Sequence, residues 1–262
     1  MGDARASEAA ALIWQNWRSR SRIDGLPQSC RPETVADGYA AQAQLAALSG
    51  WQPVGWKIAA TSVAGQKHIG VDGPLAGRLL DGKLYHDGAT LPAAHLHMAV
   101  VEAEFVFRLA SDLPARGRDY TPQDVVDATA ALHIGIEVPD SRFEDFTIVG
   151  APQLIADNAC TEYFVLGPAL PVTWRDMDLA AHPAYLTING KVAAEGIGAN
   201  VLGDPRIALA WLANDRITHG TPLLAGEIIT TGTCIVPVAI APGDQVMADF
   251  GALGRVTVHF TD

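Results

Sequence analysis

Apolar positions in the first fifty residues recur at steps of three and four, and beyond that point they mostly alternate. Val35, Tyr39, Leu45 and Leu48, with Gln42 between them, fall on one stripe, which predicts a helix over 33–49 closed by Gly50. Residues 5–20 read as a helix before it. VGWKIAA (54–60) reads as a strand. VVEAEFVFRL (100–109) alternates, with Glu102 and Glu104 on one side and Val101, Ala103 and Phe105 on the other. Thr121-Pro122-Gln123-Asp124 has a helix start's residues: Thr as N-cap, Pro at the first helical position, acid in the first turn. That helix is expected to run to about Ala131 and feed a strand, LHIGIEV (132–138). Further strands are expected at 162–167 and 184–189, where Asn189-Gly190 signals a hairpin. Asp204-Pro205 opens a helix to about His219, stopped by Gly220. Three short strands follow near 226–231, 244–250 and 254–260. The pattern is α+β: a helical N-terminal region, 1–50, and a β-rich body, 51–262, forming one continuous structural unit.

Composition narrows the function classes. The formal net charge is -11, from 29 acidic and 18 basic residues, so neither a nucleic-acid backbone nor an anionic membrane surface is expected as a partner. Cys30, Cys160 and Cys234 are far apart and form no C-x-x-C pair, which argues against a disulfide framework and a thiolate zinc site. The N-terminus lacks the basic-then-apolar order of a signal peptide, and Ala6 breaks the myristoylation pattern. No apolar stretch approaches membrane-spanning length. A cytoplasmic protein is expected.

The acidic residues carry the chemistry. Glu102 and Glu104 stand two apart in a strand, so they share a face. Alone, this is equally the wet face of a half-buried strand. Glu137 changes the balance, because it lies in a second apolar strand where a lone charge is costly. Three converging carboxylates repel one another, and a divalent cation satisfies them. All-oxygen ligands suit Mg²⁺, Mn²⁺ or Ca²⁺ rather than Zn²⁺. Lys57 is the sole charge in VGWKIAA. It is either a surface lysine with its stem along apolar residues, or a cation near the site that pairs with substrate or, with its pKa lowered, transfers protons. In the second case its replacement by Met leaves the fold intact and removes activity. His95-Leu96-His97 falls in a loop and Cys160 reads as a packed small residue, so neither is taken as a ligand. Asp140-Ser141-Arg142 reads as a turn whose charges support Glu137.

GWKIAATS (55–62), GVDGP (70–74), VEAEFVF (101–107), GIEVPDSR (135–142), DNACTEYFVLG (157–167), GANVLGDPRIALAWLAN (198–214) and the stretch from GEIITTGT (226–233) to the C-terminus resemble, in order and spacing, the 2-keto-4-pentenoate hydratase family. This family sits within the fumarylacetoacetate hydrolase superfamily, beside oxo-heptenedioate hydratases and 4-oxalocrotonate decarboxylases. The resemblance implies helices packed on a mixed β-roll. It implies Mg²⁺ or Mn²⁺ held by Glu102, Glu104 and Glu137, which with Lys57 form the catalytic set. Lys57, Thr161, Arg78 and Thr233 are the implied substrate-binding residues. The implied reaction is metal-dependent addition of water to a 2-hydroxy-2,4-dienoate, through its 2-oxo-3-enoate tautomer, giving a 4-hydroxy-2-oxo acid in aromatic catabolism. A homo-oligomer is implied, with a complex between pathway hydratase and decarboxylase as a further partner.

Glu137 stands where the hydrolase branch carries an Asp, which argues against carbon–carbon bond hydrolysis. Two departures bear on the substrate. Leu75-Ala76-Gly77 replaces the family's acid–aromatic–Gly, and Ala159-Cys160-Thr161-Glu162 replaces a serine-rich stretch, where Glu162 is a candidate for the missing carboxylate. The alternatives are decarboxylation of a 4-oxalocrotonate-like diacid, which favours an extra basic residue among Arg78, Lys67 and Arg142, and a non-catalytic partner subunit.

Overall fold

The computed structural model describes residues 2–170 and 172–262. Its helices are α1 (Asp3–Ser19), α2 (Val35–Ser49), α3 (Val63–His68), α4 (Pro122–Asp127), α5 (Ala151–Ala156) and α6 (Pro205–Thr218). Its strands are β1 (Pro53–Ala59), β2 (Leu75–Leu80), β3 (Leu84–His86), β4 (Ala89–Pro92), β5 (Val100–Leu109), β6 (Thr129–Val138), β7 (Tyr163–Leu166), β8 (Pro183–Ile188), β9 (Lys191–Ile197), β10 (Ile228–Thr233), β11 (Val238–Ala239), β12 (Gln245–Asp249) and β13 (Arg255–Thr261).

Local chemistry explains many boundaries. Thr34 and Asp37 form a reciprocal capping box that starts α2, and Gly50 ends it in the left-handed conformation. Asn189 and Gly190 take the positive φ angles of a two-residue hairpin between β8 and β9. The helix opened by Thr121 ends at Asp127, not near Ala131. Leu109 at the end of β5 pairs with Thr129, so cross-strand pairing extends β6 back over residues that look helical. The strand expected near 226–231 is also shifted, to Ile228–Thr233. The short elements β2, β3, β4, β11, α3 and α5 had no clear periodicity to announce them.

Eight strands form one mixed sheet, ordered β2-β1-β10-β5-β6-β7-β3, with β11 paired to β5. The second sheet runs β4-β13-β12-β8-β9. One face of the large sheet carries Trp56, Phe105, Phe107, Ile134 and Val165, which pack with Val246 and Val258 of the second sheet and Leu209 and Leu212 of α6. Ile13, Trp17, Ala41 and Leu45 bind the two N-terminal helices to Leu80, Phe143 and Ala156. The large sheet curls until its β2 edge meets the segment before β7. There the Asn158 side chain acts as a substitute strand: it accepts from Arg78 N at 2.6 Å and donates to Arg78 O at 2.9 Å. The other face is thereby turned into the interior of a roll. No helix among the described residues is long and apolar enough to cross a membrane.

Candidate metal centre

The strand registers bring the three acids together. Glu102 on β5 lies directly opposite Glu137 on β6, and Glu104 lies opposite Gly135. All three side chains therefore share the inner face of the roll. Each offers a carboxylate oxygen, and these oxygens lie within 4.8 Å of one another. Glu104 and Glu137 are buried and Glu102 is partly exposed. Like charges directly opposite on neighbouring strands are destabilising by themselves.

The surroundings leave these oxygens short of protein partners. Glu104 Oε2 accepts from Gly232 N at 2.9 Å, while Glu104 Oε1 and Glu137 Oε2 are buried without a hydrogen-bond partner among the described residues. Lys57 Nζ stands 2.8 Å from Glu137 Oε1. Burial pushes the Glu102 carboxyl up to about 7, Glu137 adding to the rise and Lys57 opposing it. Burial, then Glu137 and Glu102, raises Glu104 well above the usual carboxylate range. One ammonium cannot satisfy two buried carboxylates and a third that is only partly exposed. The orphaned oxygens and the all-carboxylate donor set fit a hard divalent cation.

A bulge completes the geometry. β10 gains a residue relative to β5 between Thr230 and Thr233, so Thr233 pairs with Glu104. Gly232 within the bulge has φ +96°, and a Cβ there would lie 2.1 Å from Thr61 Oγ1, so the backbone donor to Glu104 requires glycine.

Residues 52–261 match the model of the fumarylacetoacetate (FAA) hydrolase C-terminal family. The chain belongs to this family. It is similar to 2-keto-4-pentenoate hydratase of Paraburkholderia phymatum, 37% identical with 99% of each chain covered. The enzyme of that name from Burkholderia vietnamiensis is 38% identical, again over 99% of each. Among solved structures, 4-oxalocrotonate decarboxylase from Pseudomonas putida G7, complexed with magnesium and adipate, superposes with a TM-score of 0.90 at 29% identity, covering 99% of this chain and 98% of that one.

In this member of the FAA hydrolase family Lys57 is no surface lysine: its side chain is 3% exposed. Burial works against its charge, but Glu137 and Glu102 outweigh it, so its pKa is raised rather than lowered. Lys57 Nζ also donates to Ala159 O at 2.7 Å. Thr161 lines the same spot, since a Cβ added to Gly77 would lie 2.9 Å from Thr161 Oγ1 and 3.1 Å from Lys57 Cγ. Thr161 Oγ1 donates to Asn158 O at 2.7 Å, and Thr233 Oγ1 donates to Ile235 O at 2.9 Å. Leu75, buried, shares the Lys57 face through the register of β2 on β1 and packs with Leu154 and Ala159.

Three expectations are corrected. Arg78 pairs in register with Trp56, one residue along from Lys57, so its side chain lies on the opposite face. There its guanidinium stacks 3.5 Å from the Trp56 ring centroid and meets Glu227 at 3.0 Å. Glu162 does not replace the missing acid: its carboxylate is paired to Lys83. Arg142 braces Asp157 and the carbonyls of Asp140 and Thr161 rather than Glu137. Lys67 is exposed on α3. The Cys160 thiol is pushed up to about 12 by burial, then Asp157, and stays protonated.

Sequence reasoning did not single out Ala159 and Asn158. Asn158, Ala159 and Cys160 all have positive φ, at 55°, 51° and 61°. Such a run of non-glycine residues is strained, and it turns the Ala159 carbonyl onto Lys57. A backbone carbonyl leaves no mark on residue identity.

Proposed function

We propose that this protein is a hydro-lyase that adds water to a 2-hydroxy-2,4-dienoate, by way of its 2-oxo-3-enoate tautomer, to release a 4-hydroxy-2-oxo acid in the breakdown of aromatic compounds. The observation that carries the reading is the cluster of Glu102, Glu104 and Glu137 within 4.8 Å, with Lys57 against Glu137, in a chain 37% identical to a hydratase along its whole length. The three glutamates are the residues that would hold Mg²⁺ or Mn²⁺. When bound, the cation supplies Lewis-acid polarisation of the 2-oxo group.

The chain's own residues do the rest. Three carboxylates against a divalent ion leave an excess negative charge, which the Lys57 ammonium offsets so that an anionic substrate can enter. Fixed between Glu137 and Ala159 O, Lys57 is placed to hold the substrate carboxylate or to deliver a proton to the dienol carbon. The Thr161 and Thr233 hydroxyls each give their hydrogen to a backbone carbonyl, Asn158 O and Ile235 O, and meet the bound acid by turning that hydrogen onto it. Leu75 gives this pocket an apolar wall, so the substrate tail that fits best differs from that of a relative with an acid there.

The decarboxylase reading is supported by the 0.90 TM-score to 4-oxalocrotonate decarboxylase. It is weakened by the positions of Arg78 and Arg142, whose guanidinium groups are engaged by Glu227 and Asp157. The deciding experiment compares kcat/KM for the five-carbon dienoate, its methyl homologue, a seven-carbon diacid and 4-oxalocrotonate. One tail contact is worth about 10- to 200-fold. Preference for a dienoate other than the five-carbon one is expected. A clear win for the five-carbon dienoate makes the Leu75 argument wrong. Release of CO₂ from 4-oxalocrotonate replaces the hydratase by the decarboxylase, and metal-independent inertness to all four leaves the non-catalytic partner. A homo-oligomer belongs to the same reading, and light scattering that gives a monomer mass refutes it.

A further inference from the structure

A second polar recess lies between the end of α1 and the segments flanking β7. Its volume is about 50 Å³, enough for a small ion or a single charged head group rather than a whole metabolite. It is separate from the carboxylate cluster. Tyr163, in its wall, pairs with Val138 and so points to the opposite face of the sheet from Glu137. The turn strained at 158–160 is held from both sides, Ala159 O accepting from Lys57 and Thr161 O from Arg142.

The wall is cationic in a strongly acidic chain. Arg20, Arg22, Lys83 and Arg142 line it against Asp140 and Glu162; Arg142 is matched by the buried Asp157, which leaves Arg20, Arg22 and Lys83 facing two carboxylates. The existing pairs do not use all the donors. One terminal nitrogen of Arg22 pairs with Asp140 and the other donates to Ser21 O at 3.1 Å. Its Nε, in a side chain only 8% exposed, has no partner among the described residues. Asp140 cannot turn to it, because its other oxygen already accepts from His97 N and Met98 N, both at 2.8 Å. His95 Nδ1 is likewise buried and unpartnered, while its Nε2 lies 3.2 Å from Tyr163 Oη. Lys83 gives one N–H to Glu162 and keeps the others. Its Nζ sits 4.6 Å from the Tyr163 ring centroid and 5.5 Å from that of Trp17, rings that attract a cation without neutralising it.

A buried guanidinium N–H without an acceptor is unfavourable, and so is unbalanced positive charge in a recess. One group relieves both. We propose that this recess binds a small oxyanion, a carboxylate or phosphate group, through Arg22 Nε, the free donors of Lys83 and the Arg20 guanidinium. Charge-assisted hydrogen bonds of this kind are the strong ones.

The test is calorimetric titration of the protein in Mg²⁺ buffer with sodium phosphate and, separately, sodium acetate at constant ionic strength. Arg20→Gln, Arg22→Lys and Glu104→Gln are compared with wild type. The Arg20 side chain makes no hydrogen bond or ion pair among the described residues, so its loss leaves the fold alone. Arg22→Lys keeps a cation for Asp140 and removes the Nε donor, and its melting curve verifies folding. The expected result is saturable binding of one anion per chain, weakened about tenfold in Arg20→Gln and Arg22→Lys and unchanged in Glu104→Gln. Tighter phosphate identifies an inorganic or phosphoryl anion as the natural occupant, and tighter acetate a carboxylate head. No saturable binding, or equal binding in the two arginine variants, overturns the proposal. Binding lost in Glu104→Gln also overturns it, by placing the anion at the glutamate cluster.

Discussion

Replacing Lys57 by Met removes the ammonium that faces the Glu102, Glu104 and Glu137 carboxylates. Lys57 is 3% and Glu137 2% exposed, and their charged atoms are 2.8 Å apart. Removing one partner of a buried pair typically destabilises by about 3–5 kcal/mol, because the other charge is left uncompensated. At about 2–4 °C per kcal/mol for a chain of this size, the metal-free melting temperature is expected to fall by about 6–20 °C. The lower half of that range is favoured, since Glu102 and Glu104 are already shifted towards protonation. The burial of Lys57 argues against the expectation from sequence that this substitution spares the fold. A bound cation compensates: at about 100 times its dissociation constant, Mg²⁺ returns roughly 2.7 kcal/mol. Glu137→Gln added to Lys57→Met should cost less than the sum of the two, as partners in direct contact do. Turnover in saturating Mg²⁺ should still fall by at least about 10²-fold, the low end of general acid–base catalysis. The measurements are calorimetric melts with and without Mg²⁺ and a dienoate absorbance assay. A variant melting within about 2 °C of wild type without metal would refute the electrostatic argument, and one with normal turnover would refute the catalytic role.

Three further outcomes are expected. Glu104→Gln keeps an acceptor for Gly232 N but loses a charged ligand, so calorimetry should register no Mg²⁺ binding by a folded protein; unchanged affinity sinks the metal assignment. In Gly77→Ala the new Cβ would fall 2.5 Å from Asn158 O, forcing the turn that holds Lys57 to move. Overpacking of this kind costs about 1–3 kcal/mol, and a denaturant midpoint and kcat both equal to wild type would show the contact to be slack. Asp124 is held well below the usual carboxylate range by Arg118 and Arg116, then by Thr121. A lowered folded-state pKa contributes stability that is fully present above the unfolded value and is lost as pH falls towards the folded one, so the difference between Asp124→Asn and wild type should be constant from pH 7 to about pH 4 and shrink steadily below that; a difference that begins to shrink well above pH 4, or that does not change below it, contradicts the linkage.

Residue identity alone determined the elements whose start and stop signals are local. The Gly50 stop of α2, the Pro122 and Pro205 helix starts, the Asn189-Gly190 hairpin and the alternation of β5 depend on neighbours along the chain, so each was legible. The pair Glu102 and Glu104 was legible for the same reason, because a period of two needs no partner strand. That Glu137 stands directly opposite Glu102 was not, since register is a property of two strands and is fixed by packing. Only the tertiary structure decided the side of the sheet on which each basic residue lies. Arg78 and Lys57 both look like site cations in sequence, yet their cross-strand partners put them on opposite faces. Tertiary structure likewise extended β6 back to Thr129, where pairing with Leu109 outweighs helix propensity. It also set the left-handed run at 158–160 that aims a backbone carbonyl at Lys57. A carbonyl is common to every residue, so its use is written in backbone geometry and nowhere in the order of side chains.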